Sequence, residues 1–296
     1  MGLELRLKNL VLSFAAILLT ASCSEQATAT LEQIVESPSQ EDMIMAVRQS
    51  ARQSVALTSL EAIDAELRPH DIIYMPEGEG PFPAVMLFHG CSGRTLSHEQ
   101  DWARRFNGEG VAVITVDSYS GRGINWEEAC NMQVMLPWQR ASDVISTIEY
   151  AKTLDKIKSD ELYVEGFSHG AMTIWASLVF ASNESAPIGL ETWPAGGING
   201  LKGAFMFYGP CIEPWDLDVK AAMLLAEEDQ YIDENTCTAY KEKYPELAKD
   251  LSVDIYAGAT HTYDHAKPNA SNVAAGSRYD AVATEASWQR IQSIMK

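Results

Sequence analysis

Basic residues are scarce in this 296-residue chain: 22 Lys and Arg stand against 41 Asp and Glu, giving a formal charge of −19. So acidic a chain repels phosphate backbones and anionic lipid surfaces, which argues against a nucleic-acid partner. Cysteine is sparse too. There are five, none spaced as CxxC or clustered with histidine, so a zinc site has no support. No internal repeat is present, and the apolar stretch near the start, Leu10 to Leu19, falls short of the roughly 20 residues that a membrane span needs. The composition, 46% hydrophobic and 21% charged, nevertheless supplies a sizeable core and excludes disorder, collagen and a small disulfide scaffold.

Residues 1 to 24 have the layout of a targeting segment. Arg6 and Lys8 form a basic start, Leu10 to Leu19 an apolar stretch, and Thr20-Ala21-Ser22-Cys23 a small-residue end. A buried core helix is the alternative. Cys23 resembles the lipidated cysteine of bacterial lipoproteins, with Thr20 where Leu is usual. The expectation is a signal peptide over residues 1–22 and an exported protein held in the periplasm by a lipid on Cys23. A soluble periplasmic or secreted form, cut near Ala27-Thr28-Ala29, is the alternative. Four cysteines then remain, an even number that suits an oxidising compartment.

Residues 23–59 are polar and Ala-rich and read as a tether, with one amphipathic helix over Glu41 to Leu57. From residue 60 to 296 short apolar runs alternate with helical patterns, the signature of an α/β fold: a mostly parallel, doubly wound sheet with helices on both faces. Strands are expected over Ala84–His89, Val111–Val116, Leu162–Glu165, Ala204–Tyr208, Ala221–Leu225 and Ser252–Tyr256. Helices are expected through Trp102 and Phe106, from Pro137 to about Thr153, and over Ala171–Phe180, Glu234–Leu247 and Tyr279–Met295.

Between one strand and the next helix lies Gly166-Phe167-Ser168-His169-Gly170, which fits the G-x-S-x-G nucleophile elbow. A sharp strand-to-helix turn leaves no room for side chains at the flanking positions, hence the glycines. A serine hydroxyl is a weak nucleophile until an imidazole takes its proton, and the imidazole needs an acid to fix its tautomer. Asp229 follows the strand ending at Leu225, and His261 follows the strand ending at Tyr256. Their order after Ser168 is that of an α/β-hydrolase triad. Each assignment has a rival: Ser168 as a simple helix cap, Glu227, Glu228 or Asp233 in place of Asp229, and His265 in place of His261.

Leu87-Phe88-His89-Gly90-Cys91-Ser92-Gly93, the elbow, Glu227-Glu228-Asp229 and Tyr256-Ala257-Gly258-Ala259-Thr260-His261 together resemble the blocks of the dienelactone hydrolase family, from about residue 70 onward. The resemblance implies Ser168 as nucleophile, Asp229 as acid and His261 as base, with the backbone N–H groups of Cys91 and His169 as oxyanion hole. Two departures stand out. The founding enzymes use Cys as nucleophile where this chain has Ser168, and Gly90 replaces the Glu before the oxyanion residue, which argues against dienelactone itself as substrate.

The same layout pairs Cys91 with Cys130 and Cys211 with Cys237, four free thiols being the alternative. Arg122, in Ser120-Gly121-Arg122-Gly123, is a candidate grip for a substrate carboxylate, or else a structural ion pair. His169 reads as pocket wall, His70 and His98 as surface histidines, Asp117 as a loop-shaping residue, and the stretch Ala181 to Asn199 as a border of the pocket. The resulting expectation is a serine hydrolase that cleaves an ester or similar acyl bond of a small molecule. It implies no metal or organic cofactor, no nucleic acid, and membrane contact through the lipid anchor alone. An acyltransferase, a peptidase, or a non-catalytic surface lipoprotein are the alternatives.

Overall fold

The structure, a computed structural model, describes Ala46, residues 48–51 and residues 55–296. Chain contacts separate Met1–Ser39 from Gln40–Lys296, and the description below concerns the second unit. The signal peptide expected over 1–22, Cys23 and most of the expected tether lie outside the described residues. One helical turn of that tether, residues 48–51, is described. There Arg48 pairs with Glu213 and lies over the Phe180 ring, and Ala51 joins a small core with Leu136 and Trp138.

Helix α1 (Leu60–Leu67) precedes a seven-stranded sheet built from β1 (Ile72–Tyr74), β2 (Phe82–Phe88), β3 (Ala112–Val116), β4 (Ile157–Phe167), β5 (Leu201–Phe207), β6 (Lys220–Ala226) and β7 (Leu251–Tyr256). The spatial order is β1-β3-β2-β4-β5-β6-β7; β1 runs antiparallel to β3 and every other pairing is parallel. The connections carry α2 (Leu96–Gly108), α3 (Trp126–Cys130), α4 (Pro137–Lys152), α5 (His169–Ser182), α6 (Asn235–Lys243), α7 (Ala270–Ala274) and α8 (Ala281–Met295).

The inner strands are apolar at consecutive positions because both sheet faces are covered, and the strand period of two divides each run between the two layers. Ala84, Met86 and Phe88 of β2 and Val164 of β4 pack with α1, α4 and α5 through Leu67, Ile148 and Ile174. Val85, Leu87, Tyr163 and Phe167 face the other way, onto Trp102 and Phe106 of α2 and Trp288 and Ile291 of α8.

Several boundaries differ from expectation. Strand β4 begins at Ile157 rather than Leu162; Ile157 pairs with Phe82, and the register shifts over the polar residues 158–161 before Leu162 pairs with Ala84. Helix α6 stops at Lys243 rather than Leu247 because Tyr244 precedes Pro245, and the proline ring drives it out of the helical region, to φ −129° and ψ 59°. Strand β1, helix α1 and the short helices α3 and α7 were not expected at all.

Candidate active site

Strand β4 ends at Phe167 and α5 begins at His169, so Ser168 must turn the chain within one residue, and it does so at φ 53° and ψ −113°. This is a costly conformation for a residue with a side chain, sustained only where the surroundings over-determine it. Those surroundings explain both glycines. A Cβ on Gly166 would lie 2.5 Å from the Gly170 carbonyl oxygen, and one on Gly170 would overlap the Phe88 carbonyl. The Ser168 hydroxyl makes no capping hydrogen bond to α5, which removes the helix-cap reading.

The hydroxyl meets an imidazole instead. Ser168 Oγ lies 3.0 Å from His261 Nε2, and His261 Nδ1 lies 2.7 Å from Asp229 Oδ2. The other Asp229 oxygen accepts the backbone N–H groups of Tyr231 and Ile232 at 2.8 and 3.1 Å, which orients the carboxylate. The rings of Tyr208 and Tyr231 lie 4.6 and 5.0 Å from the His261 ring and confine it. The rival groups are engaged elsewhere: Glu227 accepts the Gly258 N–H, Glu228 pairs with Arg278, and Asp233 accepts the Asn235 N–H. His265 stacks on His98, with ring centroids 3.6 Å apart.

Cys91 and His169, the two residues assigned to the oxyanion hole, both line the cavity in front of Ser168. His169 is the first residue of α5, where a backbone N–H has no intrahelical acceptor. Its ring is buried, and burial together with the Arg140 charge pushes its pKa down to about 3, so the neutral ring serves as wall. Arg140 is fully buried and joins the two segments: Nη1 donates to the His89 carbonyl at 2.8 Å and approaches His169 Nδ1 at 3.2 Å, while Nε donates to Ser118 Oγ at 2.8 Å. The disulfides join Cys91 to Cys130 and Cys211 to Cys237, the pairing expected from the layout.

The cavity encloses about 570 Å³, and much of its wall is apolar, including Leu87, Phe167, Met172, Pro210 and Ile232. Trp126 and Tyr231, 45% and 60% exposed, stand on its wall. Among the described residues no Lys or Arg lines it, and the one carboxylate that does, Glu99, is held by Arg94 at 2.8 Å.

Three expectations are corrected here. Arg122 does not reach the cavity: its guanidinium forms a two-pronged contact with buried Asp143 at 2.8 and 2.9 Å and a further bond to Glu66 at 2.6 Å, so it is a structural ion pair. The stretch 181–199 lines no part of the cavity; residues from 126–132, 231–232 and 271–272 do. His98 is not a surface residue but 6% exposed, because its Nε2 lies 2.6 Å from the buried carboxylate of Asp264. Asp117 does shape its loop, accepting the N–H groups of Tyr119 and Ser120.

Sequence reasoning passed over Arg140 and Asp264. The one hint was spacing: His98 and Trp102 stand four apart on an expected helix, and both reach Asp264. Among the described residues, His98, Asp264 and His265 bring potential metal-ligand atoms within 4.8 Å of one another. They suit a metal poorly. Both Asp264 oxygens already take donors, from Tyr208, Trp102 and His98, and the two imidazoles stack only 19° from parallel, so their in-plane lone pairs do not converge.

Solved structures with similar folds include a candidate dienelactone hydrolase from Klebsiella pneumoniae subsp. pneumoniae MGH 78578 (TM-score 0.55, 16% identity, 76% of this chain and 98% of that chain). A dienelactone hydrolase-like promiscuous phosphotriesterase, P91, from metagenomic libraries matches at TM-score 0.54 and 16% identity over 76% of this chain and 90% of its own. Esterase 2 of Thermogutta terrifontis, solved with butyrate bound, matches at TM-score 0.57 and 12% identity over 76% and 87%. These likenesses concern the fold. No curated protein matches the chain. The model of the dienelactone hydrolase family matches residues 71–187 and 190–296. With the sheet order, the strained elbow and that match together, the chain has the α/β-hydrolase fold and belongs to the dienelactone hydrolase family, a family of hydrolases.

Proposed function

We propose that this chain is a serine esterase that cleaves neutral carboxylic esters through an acyl-enzyme on Ser168. The observation that carries the reading is the unbroken chain of contacts from Ser168 Oγ through His261 to Asp229, at 3.0 and 2.7 Å. Asp229 accepts the Nδ1–H of His261, which leaves the Nε2 lone pair facing the hydroxyl. Ser168 Oγ bonds to the ester carbon as its proton passes to His261 Nε2, and the N–H groups of Cys91 and His169 stabilise the oxyanion. The C–O bond to the alcohol then breaks, with the alcohol oxygen taking the proton from His261. Water repeats the sequence on the acyl-enzyme, giving its proton to His261 as it bonds to the acyl carbon, and releases the acid and Ser168. A preorganised oxyanion donor is typically worth about 3 kcal/mol.

A neutral substrate is favoured because no Lys or Arg among the described residues lines the cavity and the chain is strongly anionic. Among structures of the same fold, the butyrate-bound protein is an esterase, which lends support to ester cleavage by this chain. For the cell compartment we propose export, with residues 1–22 removed and Cys23 lipidated; the two disulfides fit an oxidising environment. No described helix is long and apolar enough to cross a membrane.

Labelling with a fluorophosphonate probe tests the reading. The parent should be labelled, and a folded Ser168→Ala variant should not be. A folded parent that stays unlabelled, or a variant labelled as strongly as the parent, would defeat it.

A further inference from the structure

Beside the Asp229–His261 pair, the cavity wall holds a second imidazole fixed by a buried carboxylate, and the proposed hydrolysis gives it no task. Asp264 is 4% exposed, and it accepts the Tyr208 hydroxyl at 2.8 Å, the Trp102 indole N–H at 2.9 Å and the His98 Nε2–H at 2.6 Å. Three donors on one buried carboxylate make a rigid support, and they set the His98 tautomer just as a carboxylate sets that of a metal-bound or catalytic histidine. An ionised carboxylate can only accept, so the 2.6 Å contact places the hydrogen of the neutral ring on Nε2, with the Trp102 N–H, 3.1 Å from that nitrogen, directed at Asp264 Oδ2 at 2.9 Å; the lone pair is then on Nδ1, which has no hydrogen-bond partner among the described residues. His98 lines the cavity, and the His265 ring stacked upon it lines the cavity too. An acceptor displayed on a wall that is largely apolar is recognised by a donor, and a hydroxyl group is the neutral donor that the alcohol portion of an ester most commonly carries.

Connectivity says which part of the ester would carry it. The leaving oxygen must take its proton from His261 Nε2, so the alcohol portion lies on the His261 side. From His261 the chain turns at once to His265, whose N–H bonds the Thr262 carbonyl at 3.0 Å, and His265 stacks on His98 of α2. The acyl side is different in kind. Met172 lies one turn along α5 from Ser168, and Met132 is held near Cys91 by the Cys91–Cys130 bond. Those residues belong to the connections covering the opposite face of the sheet, and they offer hydrocarbon and sulfur rather than acceptors.

Resting on the esterase reading, we propose that His98, held by Asp264 and stacked on His265, is the subsite for the alcohol portion of the substrate, and that this alcohol bears a further hydroxyl group which donates to His98 Nδ1. The substrate class is then the ester of an apolar acid with a polyol.

The test compares two esters with the same acyl group and the same carbon skeleton in the alcohol, glycerol monobutyrate and propyl butyrate, on the full chain. The expected kcat/KM is about tenfold higher for the glycerol ester, the scale of one net hydrogen bond. His98→Phe keeps a ring to stack on His265 but has no acceptor, and should bring the ratio close to one. A ratio at or below one in the parent overturns the subsite while leaving the esterase standing, and needs no variant to fold. A ratio unchanged by His98→Phe overturns it as well. Turnover abolished by a chelator and restored by zinc would assign the cluster to a metal and overturn it. Turnover of neither ester, by a protein that a fluorophosphonate does not label, would remove the esterase and the subsite together.

Discussion

The guanidinium of Arg140 grips the carbonyl oxygen of His89 at 2.8 Å, two residues before Cys91, from a position in α4 fully shielded from water. The same Nη1 approaches the ring of His169, so one buried cation ties together the two segments assigned to the oxyanion hole.

Replacing Arg140 should therefore damage turnover more than binding. Arg140→Met removes the grip on both segments, and displacement of a reacting group by even 1 Å can cost about a hundredfold. The expected outcome is a fall in kcat of about that size with KM within a few-fold of the parent, read by steady-state kinetics on a butyrate ester. An equal loss expressed wholly in KM would show that Arg140 shapes binding instead.

Asp229→Asn should retain the fold and lose nearly all activity. An amide can hold its neighbour's ring but favours the tautomer that places the hydrogen on Nε2, facing Ser168 Oγ, where a lone pair is required. A drop in kcat of about ten-thousandfold is expected from that inversion, measured beside a thermal melt that confirms folding.

Glu165 gives a pH-dependent prediction for stability. It lies on the aromatic face of β4 between Tyr163 and Phe167, fully buried, with neither oxygen hydrogen-bonded among the described residues. Burial, and after it the nearby charge of Asp264, pushes its pKa well above the usual carboxylate range. The folded chain thus keeps a proton that the unfolded chain releases above the ordinary glutamate value of 4.5, so stability falls as pH rises through the window from there to the raised value of the folded chain. Glu165→Gln mimics the neutral acid at every pH. Its stability relative to the parent should rise by about 1.4 kcal/mol per pH unit across the window. Urea unfolding at several pH values checks this, and a difference independent of pH would contradict it.

The disulfides should separate in their effects. They close stretches of 39 and 26 residues, for which chain entropy gives about 4 and about 3.5 kcal/mol of stabilisation. Cys237→Ser should lower stability by about that much and leave turnover near the parent value at low temperature. Cys130→Ser should lower both, because it also frees the segment holding Cys91. Chemical denaturation and esterase assays on the two variants would distinguish the effects.

How far the site could be read in advance depended on how local its cause was. The elbow was readable because the crowding that demands Gly166 and Gly170 arises within a strand-turn-helix unit, apart from the Phe88 carbonyl on the neighbouring strand. Asp229 and His261 were readable because each follows a strand, β6 buried and β7 half-buried at the edge, and the parallel sheet brings those strand ends to one side. His98 was not, because its burial is caused by Asp264, 166 residues away, and a histidine on an amphipathic helix carries no mark of such a partner. Arg122 failed for a similar reason: what consumes its charge is Asp143, on a helix whose orientation no spacing reveals. Strand β1, three residues long and only half buried, has too short a pattern to register.

Apart from Leu87 and Phe167, which belong to β2 and β4, the wall of the cavity is drawn from the separate segments that follow β2, β3, β4, β5, β6 and β7. Each of these segments can accept substitutions or extra residues without altering the pairing of a single strand. Selection for a new ester can therefore act on Trp126, Met132 or Tyr231 independently of the sheet, and a lineage with this architecture can diversify its substrates while its catalytic frame stays constant.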